Sequence, residues 1–356
     1  MDESSIGEEI AAEIQVSVNQ DGTEFRDRLE DLESIVSALR DHEFALNTSD
    51  PDSNLTVTAI TTHNRTRPAF SGLIYGVVAV AVTIDVSEKT ITGVNTDSRT
   101  SLDVVDFGDG YRQARWAERK QAIKLVEASL GRDPELIIVD NSLVLTRDEL
   151  LTHEESSAAS AWDDLLETLN TFWERNHERL QPWNPDGPVI LGLSNLRGYL
   201  ILTALRNGEP GDFAENLSSD LFDLIDTEFD RIKQIGANRV IARVLCQGER
   251  SPCYPFKESN VDYRWEPATL RDLGLQGVFF SPETNEHIHL EFPGVATQWN
   301  TESVSIIIHQ LSQLFWISET AEPVPIWYTR KKCKFPESML NLYYKELADR
   351  VGDIND

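Results

Sequence analysis

The sequence predicts an α/β protein built around a mixed sheet. Three observations predict it. Runs rich in β-branched residues come first, a helical period follows, and the second half then alternates helices with strands. At 356 residues the chain is long enough for one large α/β domain.

Acidic, weakly periodic sequence occupies residues 1–23. From Glu24 to His42, Phe25, Leu29, Leu32, Ile35, Val36 and Leu39 recur at three- and four-residue steps, which predicts an amphipathic helix. The loop NTSDPDSN (47–54) closes this segment. The expected division is therefore an acidic N-terminal segment, 1–50, a main domain, 51–350, and a tail, 351–356. Lying outside the main domain, the helix is expected to expose its stripe to a subunit or partner.

Short strands are predicted from Leu55 to Ile60 and from Thr90 to Val94, and a long one from Leu73 to Asp85. Tyr111 to Leu130 reads as a helix stopped at Gly131. ELIIV, 135–139, reads as a strand buried on both faces and ending at Asp140. Further on, helices are expected from Ala158 to Leu180, Arg197 to Arg206, Leu217 to Asp226, Thr301 to Ile317 and Glu337 to Arg350. Strands are expected from Val189 to Leu193, Arg239 to Cys246, Gly277 to Ser281 and His287 to Phe292.

Charge is the unusual property. Sixty acidic residues against 32 basic ones give −28, and 23 of the basic ones are arginines. An acidic, lysine-poor surface suits a salt-rich cytoplasm, where screening suppresses self-repulsion. A mildly acidic mesophilic surface is the plainer reading. The bulk surface repels nucleic acid, so any contact needs a local basic patch. No apolar run reaches the ~20 residues of a spanning helix, and no signal peptide is expected. Cys246, Cys253 and Cys333 form neither a disulfide framework nor a zinc motif, which fits a reducing cytoplasm.

Three constellations could carry chemistry. Glu118 on the predicted helix and Asp140 at the end of a buried strand could gather Mg²⁺ or Mn²⁺ for phosphodiester hydrolysis. The plain reading makes them a solvated helix residue and a turn residue. His287, His289 and Glu291 share one strand face and could ligate a metal, or simply form a polar face. Arg330, Lys331, Lys332 and Lys334, beside Trp327, Tyr328 and Phe335, could hold phosphate or form a solvated basic edge. DVVDFGDG (103–110) lacks the full calcium-loop pattern. No P-loop, dinucleotide fingerprint or GxSxG is present.

Several segments, in order, resemble the NurA nuclease family. LIIVDNSLVL (136–145) is similar to its second Asp-Gly-Ser strand, with Asn141 in place of glycine. ARWAERKQAIKLVEASL (114–130) resembles the helix with its metal-binding glutamate, which falls on Glu118. LTVTAITTHNRTRPAFSGLIYGVVAVAV (55–82), VILGLSNLRGYLIL (189–202), GVFFSPETNEHIHLEFPGV (277–295) and PVPIWYTRKKCKFPESMLNLYYKEL (323–347) look like its other blocks. The resemblance implies a ribonuclease-H-like fold and a Mn²⁺- or Mg²⁺-dependent deoxyribonuclease with Glu118 and Asp140 as catalytic metal ligands. It also implies DNA binding by the Arg330–Lys334 patch, homodimerisation, and work with a HerA-type hexameric ATPase in end resection or defence. A halophilic archaeon or its virus would be the source, and the protein would be cytoplasmic.

Two of the family's ligand positions are degenerate. Thr61 or Thr62 stands where the first motif has its aspartate, and Thr329 falls in the last motif, which has no histidine or aspartate. The alternative is therefore a silent scaffold that docks or regulates the ATPase. Asp85, Asp103, Asp106 and Asp109 are the candidates for a relocated ligand.

Overall fold

A computed structural model describes residues 26–27, 29–47, 54–69, 72–87, 90–145, 149–151, 158–180, 187–194, 198–207, 217–255, 274–283, 286–294, 301–317, 320 and 322–355. Helix α1 covers 29–41. The strands are β1 (Leu46–Asn47), β2 (Leu55–Ala69), β3 (Gly72–Ser87), β4 (Thr90–Asp106), β5 (Leu136–Val139), β6 (Val189–Ser194), β7 (Glu249–Arg250), β8 (Tyr254–Pro255), β9 (Leu275–Glu283), β10 (Glu286–Pro293), β11 (Trp316–Ile317) and β12 (Glu322–Pro323). The remaining helices are α2 (Gly110–Ser129), α3 (Ala159–Asn176), α4 (Gly198–Asn207), α5 (Ser219–Ile235), α6 (Ala237–Val244), α7 (Thr301–Ser312), α8 (Val324–Lys332) and α9 (Glu337–Asn355).

One mixed sheet runs β1-β7-β9-β10-β6-β5-β2-β3-β4, with β8 also paired to β9. β5 lies between β2 and β6 and is parallel to both, whereas β2, β3 and β4 form an antiparallel meander. Alternation splits the core in two. Ile60, Ile137, Val139 and Ile190 face one side, with apolar residues of α1 through α6. Val57, Ala59, Leu136 and Ile138 face the other, with Val304 and Ile308 of α7, Ile326 of α8 and Leu340 of α9. Burial on both faces is why LIIV carries no polar residue. Among the described residues, no helix is long and apolar enough to cross a membrane.

Four sequence expectations are corrected. The segment from Arg239 to Cys246 is mainly helix α6, because Val240, Ile241 and Val244 share one buried helical face. Gly236, at φ +106°, breaks it from α5. β2 and β4 run far beyond their apolar starts. Backbone pairing to the Val/Ala-rich β3 carries their polar halves, a signal that side-chain patterning does not hold. The helix expected from Thr301 to Ile317 ends at Ser312, and Trp316–Ile317 instead pairs as a strand with Glu322–Pro323, ahead of α8.

The fourth correction concerns α1. Its stripe is covered by the chain itself: Ile35 and Leu39 belong to the same core cluster as Ile225, Val240 and Val244. Arg40 pairs with Glu249 at 2.9 Å and Glu33 with Arg243 at 3.4 Å. Ile35, Val36 and Leu39 are therefore part of the main core, while Leu29 stays exposed and Phe25 lies outside the described residues.

Candidate nuclease centre

The site lies at the carboxyl end of β5, where open sheets place their clefts. The parallel ladder continues one residue past the strand, because Asp140 N–H donates to the Ile60 carbonyl at 2.8 Å. This fixes Asp140 beside β2. Glu118 projects from α2 into the same cleft. Thr62, Arg119, Asn141, Leu143 and Trp173 are among its other walls. The structure therefore brings Glu118 and Asp140 to one cleft, as the resemblance requires.

The loop after Asp140 is held from below. Arg119 is buried and forms a bidentate pair with buried Glu149, Nε–Oε1 2.7 Å and Nη2–Oε2 2.8 Å. The same guanidinium donates to the carbonyls of Ser142 and Val144. From β10, buried Glu291 accepts through Oε2 from the Ser142 hydroxyl at 2.7 Å and from Leu143 N–H at 2.8 Å. Burial raises the Glu291 carboxyl above the usual range, while its bonds to Ser142, Ser194 and Leu143 oppose the shift. Gly192 of β6 leaves room for the loop, since a Cβ there would sit 2.9 Å from the Asn141 carbonyl oxygen.

Alternation decides between the two threonines. Thr62 shares the face of Ile60 and enters the cleft, where it hydrogen-bonds Glu118 together with Asn64. Thr61 points the other way; its hydroxyl is buried without a partner among the described residues. The Thr61 carbonyl accepts from the Cys333 thiol at 3.2 Å, and burial pushes that thiol up to about 12. Thr329 is also buried, its hydroxyl returned to the carbonyls of Pro325 and Ile326 within α8.

The residue after Thr329 supplies what the sequence did not reveal. Arg330 turns out of α8 into the site and grips Asp140 with a fork, Nε–Oδ2 2.6 Å and Nη2–Oδ1 2.5 Å. Its remaining nitrogen pairs with Glu322 of β12. The Asp140 side chain is 9% exposed and that of Arg330 44%. The Asp140 bond first, and its charge with that of Glu322, hold the guanidinium protonated against burial. Phe335 anchors the segment behind α8: its ring packs so closely on Gly76 of β3 that a Cβ there would overlap it.

Arg330 is thus set apart from the basic patch to which its sequence position assigned it. Lys331 lies over Trp327 at 5.3 Å and Lys332 over Tyr328 at 4.6 Å. All four cations of this stretch are exposed, and Arg330 differs in being held by Asp140 and Glu322. Glu322 is the site carboxylate missed in the sequence, where it lies in an unremarkable acidic stretch. Of the relocation candidates, Asp85 accepts from Thr56 near the other end of β2. Asp103 and Asp106 lie on edge strand β4, and Asp109 pairs with Arg112 at 2.8 Å. None of them lines the cleft. His289 is engaged with Ser194 and with the Tyr254 hydroxyl, Glu291 with the loop, and the His287 ring packs against Phe279 at 6.2 Å.

This donor set does not fit a divalent-metal centre. Hard cations need several anionic oxygens. Both Asp140 oxygens are held by a guanidinium, Thr62 is neutral, and burial lifts the Glu118 carboxyl above its usual range. Among the described residues, no three His, Cys, Asp or Glu side chains form a metal-binding group.

Glu118 gives a pH prediction. A carboxyl with a raised folded value destabilises the fold as pH climbs through that value, because the unfolded state ionises more readily. Glu118→Gln keeps an acceptor for Thr62 and Asn64. It is expected to raise the melting temperature at pH 7, with the gain disappearing below the ordinary carboxylate range of about 4. Melting curves across pH check it; a gain that persists at pH 3 contradicts the assignment.

A mixed sheet with a central parallel strand and helices on both faces gives the chain a ribonuclease-H-like fold. Within that class the fold is NurA-like. The crystal structure of the NurA nuclease from Sulfolobus solfataricus matches with a TM-score of 0.59 at 14% identity, covering 96% of this chain and 97% of that chain. A structure of NurA with manganese gives 0.45 at 12% identity, over 92% and 96%. Endonuclease V from Streptomyces avermitilis gives 0.34 at 11% identity, over 85% and 90%. No protein-family model and no curated protein matches the sequence.

Proposed function

We propose that this chain is a DNA-processing partner of a HerA-type hexameric ATPase, built as a homodimer on the NurA fold, with its own nuclease centre held silent by Arg330. The observation that carries this reading is the two-pronged grip of Arg330 on Asp140. In an active centre of this fold, Asp140 and Glu118 would hold Mn²⁺ or Mg²⁺ and supply cutting for end resection or defence. Here a guanidinium neutralises the first ligand, and a hydroxyl stands at the position of another. Two carboxylates against one guanidinium also leave the clasp net negative, which repels a phosphodiester. A silent centre leaves docking and DNA guidance as the role, with Lys331, Lys332 and Lys334 as the DNA contacts.

Digestion of linear DNA with Mn²⁺, with and without the ATPase, tests it. The isolated chain is expected not to cut. Robust cutting abolished by Asp140→Ala overturns the silent reading, and failure of the two proteins to co-purify overturns the partnership. Charge reversal of the three lysines should weaken DNA binding and lower its salt slope by up to about 3.

The composition further supports a salt-rich cytoplasm, in an archaeon or its virus. The screening length shrinks from ~10 Å at 0.1 M to ~3 Å at 1 M. With a net charge of −28, the melting temperature is expected to climb steeply with KCl; a flat response contradicts this.

A further inference from the structure

β10 carries a carboxyl into the middle of the sheet. In the two ladders that flank it, Glu291 stands opposite Gly192 of β6 and Gly277 of β9. Glycine inside a strand marks a close approach, and both positions meet one. Gly192 admits the loop after Asp140. At Gly277 a Cβ would sit 2.6 Å from Tyr254 Cζ and 2.8 Å from His289 Nε2, so this glycine lets Tyr254 lie against His289.

A hydrogen-bond chain fills the room so made. The Tyr254 hydroxyl meets His289 Nε2 at 2.5 Å, His289 Nδ1 meets the Ser194 hydroxyl, and Ser194 bonds to the Glu291 carboxyl. Glu291 in turn accepts from Ser142 and Leu143 of the loop. Tyr254, His289 and Glu291 are fully buried, and Phe279 lies against the imidazole at 4.8 Å. Among the described residues, the charge facing Glu291 is that of Arg119 on α2, which also acts on Glu149 and Glu118. The other titratable groups of the chain are His289 on its own strand and Tyr254 on β8.

The protons of this chain have two consistent orders. Ser194 has one hydroxyl proton, and a neutral imidazole has one ring proton. While Glu291 is ionised, Ser194 donates to it. His289 then donates to Ser194 through Nδ1 and accepts from the Tyr254 hydroxyl through Nε2. When Glu291 takes up a proton, every bond reverses. Glu291 donates to Ser194, Ser194 donates to Nδ1, and Nε2–H donates to the Tyr254 oxygen. Glu291 gains one proton, and each of the other groups keeps its number.

We infer that Glu291 is the positioning residue of the Asp140 loop, and that its protonation is coupled through Ser194 to the tautomer of His289. As a carboxylate it gives the Ser142 hydroxyl and the Leu143 N–H charge-assisted bonds. Once protonated it offers them a neutral oxygen, and the hold on the loop weakens. Burial, which raises this carboxyl, moves the change above the ordinary carboxylate range. The inference rests on none of the proposed partners and applies whether or not the centre cuts.

Ring ¹⁵N spectra of His289, assigned through its contacts with Phe279 and Tyr254, test it together with hydrogen-exchange protection of the Leu143 amide. At about pH 8 the ring proton is expected on Nδ1, since carboxyls are then ionised. As pH falls the proton should move to Nε2, with Leu143 protection dropping several-fold over the same interval. Glu291→Gln reproduces the protonated order, because its amide N–H donates to Ser194 while its oxygen accepts from the loop. It is expected to show the Nε2 tautomer and the weaker protection at every pH. Tyr254→Phe removes the donor that keeps Nε2 an acceptor, and should move the midpoint up by about one unit. The wild-type titration needs no variant to fold. A single tautomer at every pH, an Nε2 proton already present at the alkaline end, or a ring that gains a second proton in place of the exchange overturns the coupling. Leu143 protection unchanged in a folded Glu291→Gln overturns the positioning role.

Discussion

Arg119→Ala is expected to destabilise the fold by about 3–5 kcal/mol, because it leaves the Glu149 carboxylate buried without its partner. The Ser142 and Val144 carbonyls lose their donor in the same step. Most of the cost is the stranded charge, so the companion variant separates the two contributions. Arg119→Met with Glu149→Leu removes both charges at similar volume and should recover much of the loss, since a buried pair is often replaceable by apolar packing. Urea titration with the slope held constant measures both. A single variant within about 1 kcal/mol of wild type would mean that the Arg119–Glu149 pair does not hold the loop.

The second large effect is a gain. Thr62→Asp with Arg330→Ala removes the resident cation and restores a carboxylate on the cleft face of β2. The new carboxylate then lines the cleft with those of Glu118 and Asp140. Oxygen-rich anionic sites are what Mn²⁺ and Mg²⁺ require. Affinity for Mn²⁺ is expected to rise by about two orders of magnitude, read as a saturable change in the Mn²⁺ electron-paramagnetic-resonance signal. Thr61→Asp with Arg330→Ala is the control, because residue 61 faces away from the cleft. Equal gains from the two would contradict the assignment of faces along β2.

Much of this architecture is legible in the residues. Ile137 and Val139 on one face of β5, with Leu136 and Ile138 on the other, announce a central strand, and the periodicity from Tyr111 to Leu130 places Glu118 on a helix. The same alternation that splits β5 between two cores puts Thr62 with Ile60, so the cleft-facing threonine could have been chosen from parity alone. Arg330 was not accessible in this way. In YTRKKCKF it is one of four clustered cations, and only the turn of α8 brings its guanidinium, and not the lysine ammonium groups, onto Asp140. Nor does anything local to Glu322 mark it, because its partner lies eight residues further on in a different element. The polar halves of β2 and β4 were illegible for a related reason: their pairing partner β3 carries the pattern. Helix α6 misled because Val and Ile are strand formers in isolation, whereas burial beside α4 and α5 selects the helical spacing.

The central claim is that an arginine takes the place of a metal ion on Asp140. Its most direct test is Mn²⁺ binding to the wild-type chain compared with Asp140→Asn, at KCl high enough to suppress weak binding to the acidic surface. Subtracting one isotherm from the other removes whatever surface binding remains. The account predicts no difference between the two, because the Asp140 oxygens already face the Arg330 guanidinium. One equivalent of Mn²⁺ bound by the wild type and lost in Asp140→Asn would contradict it.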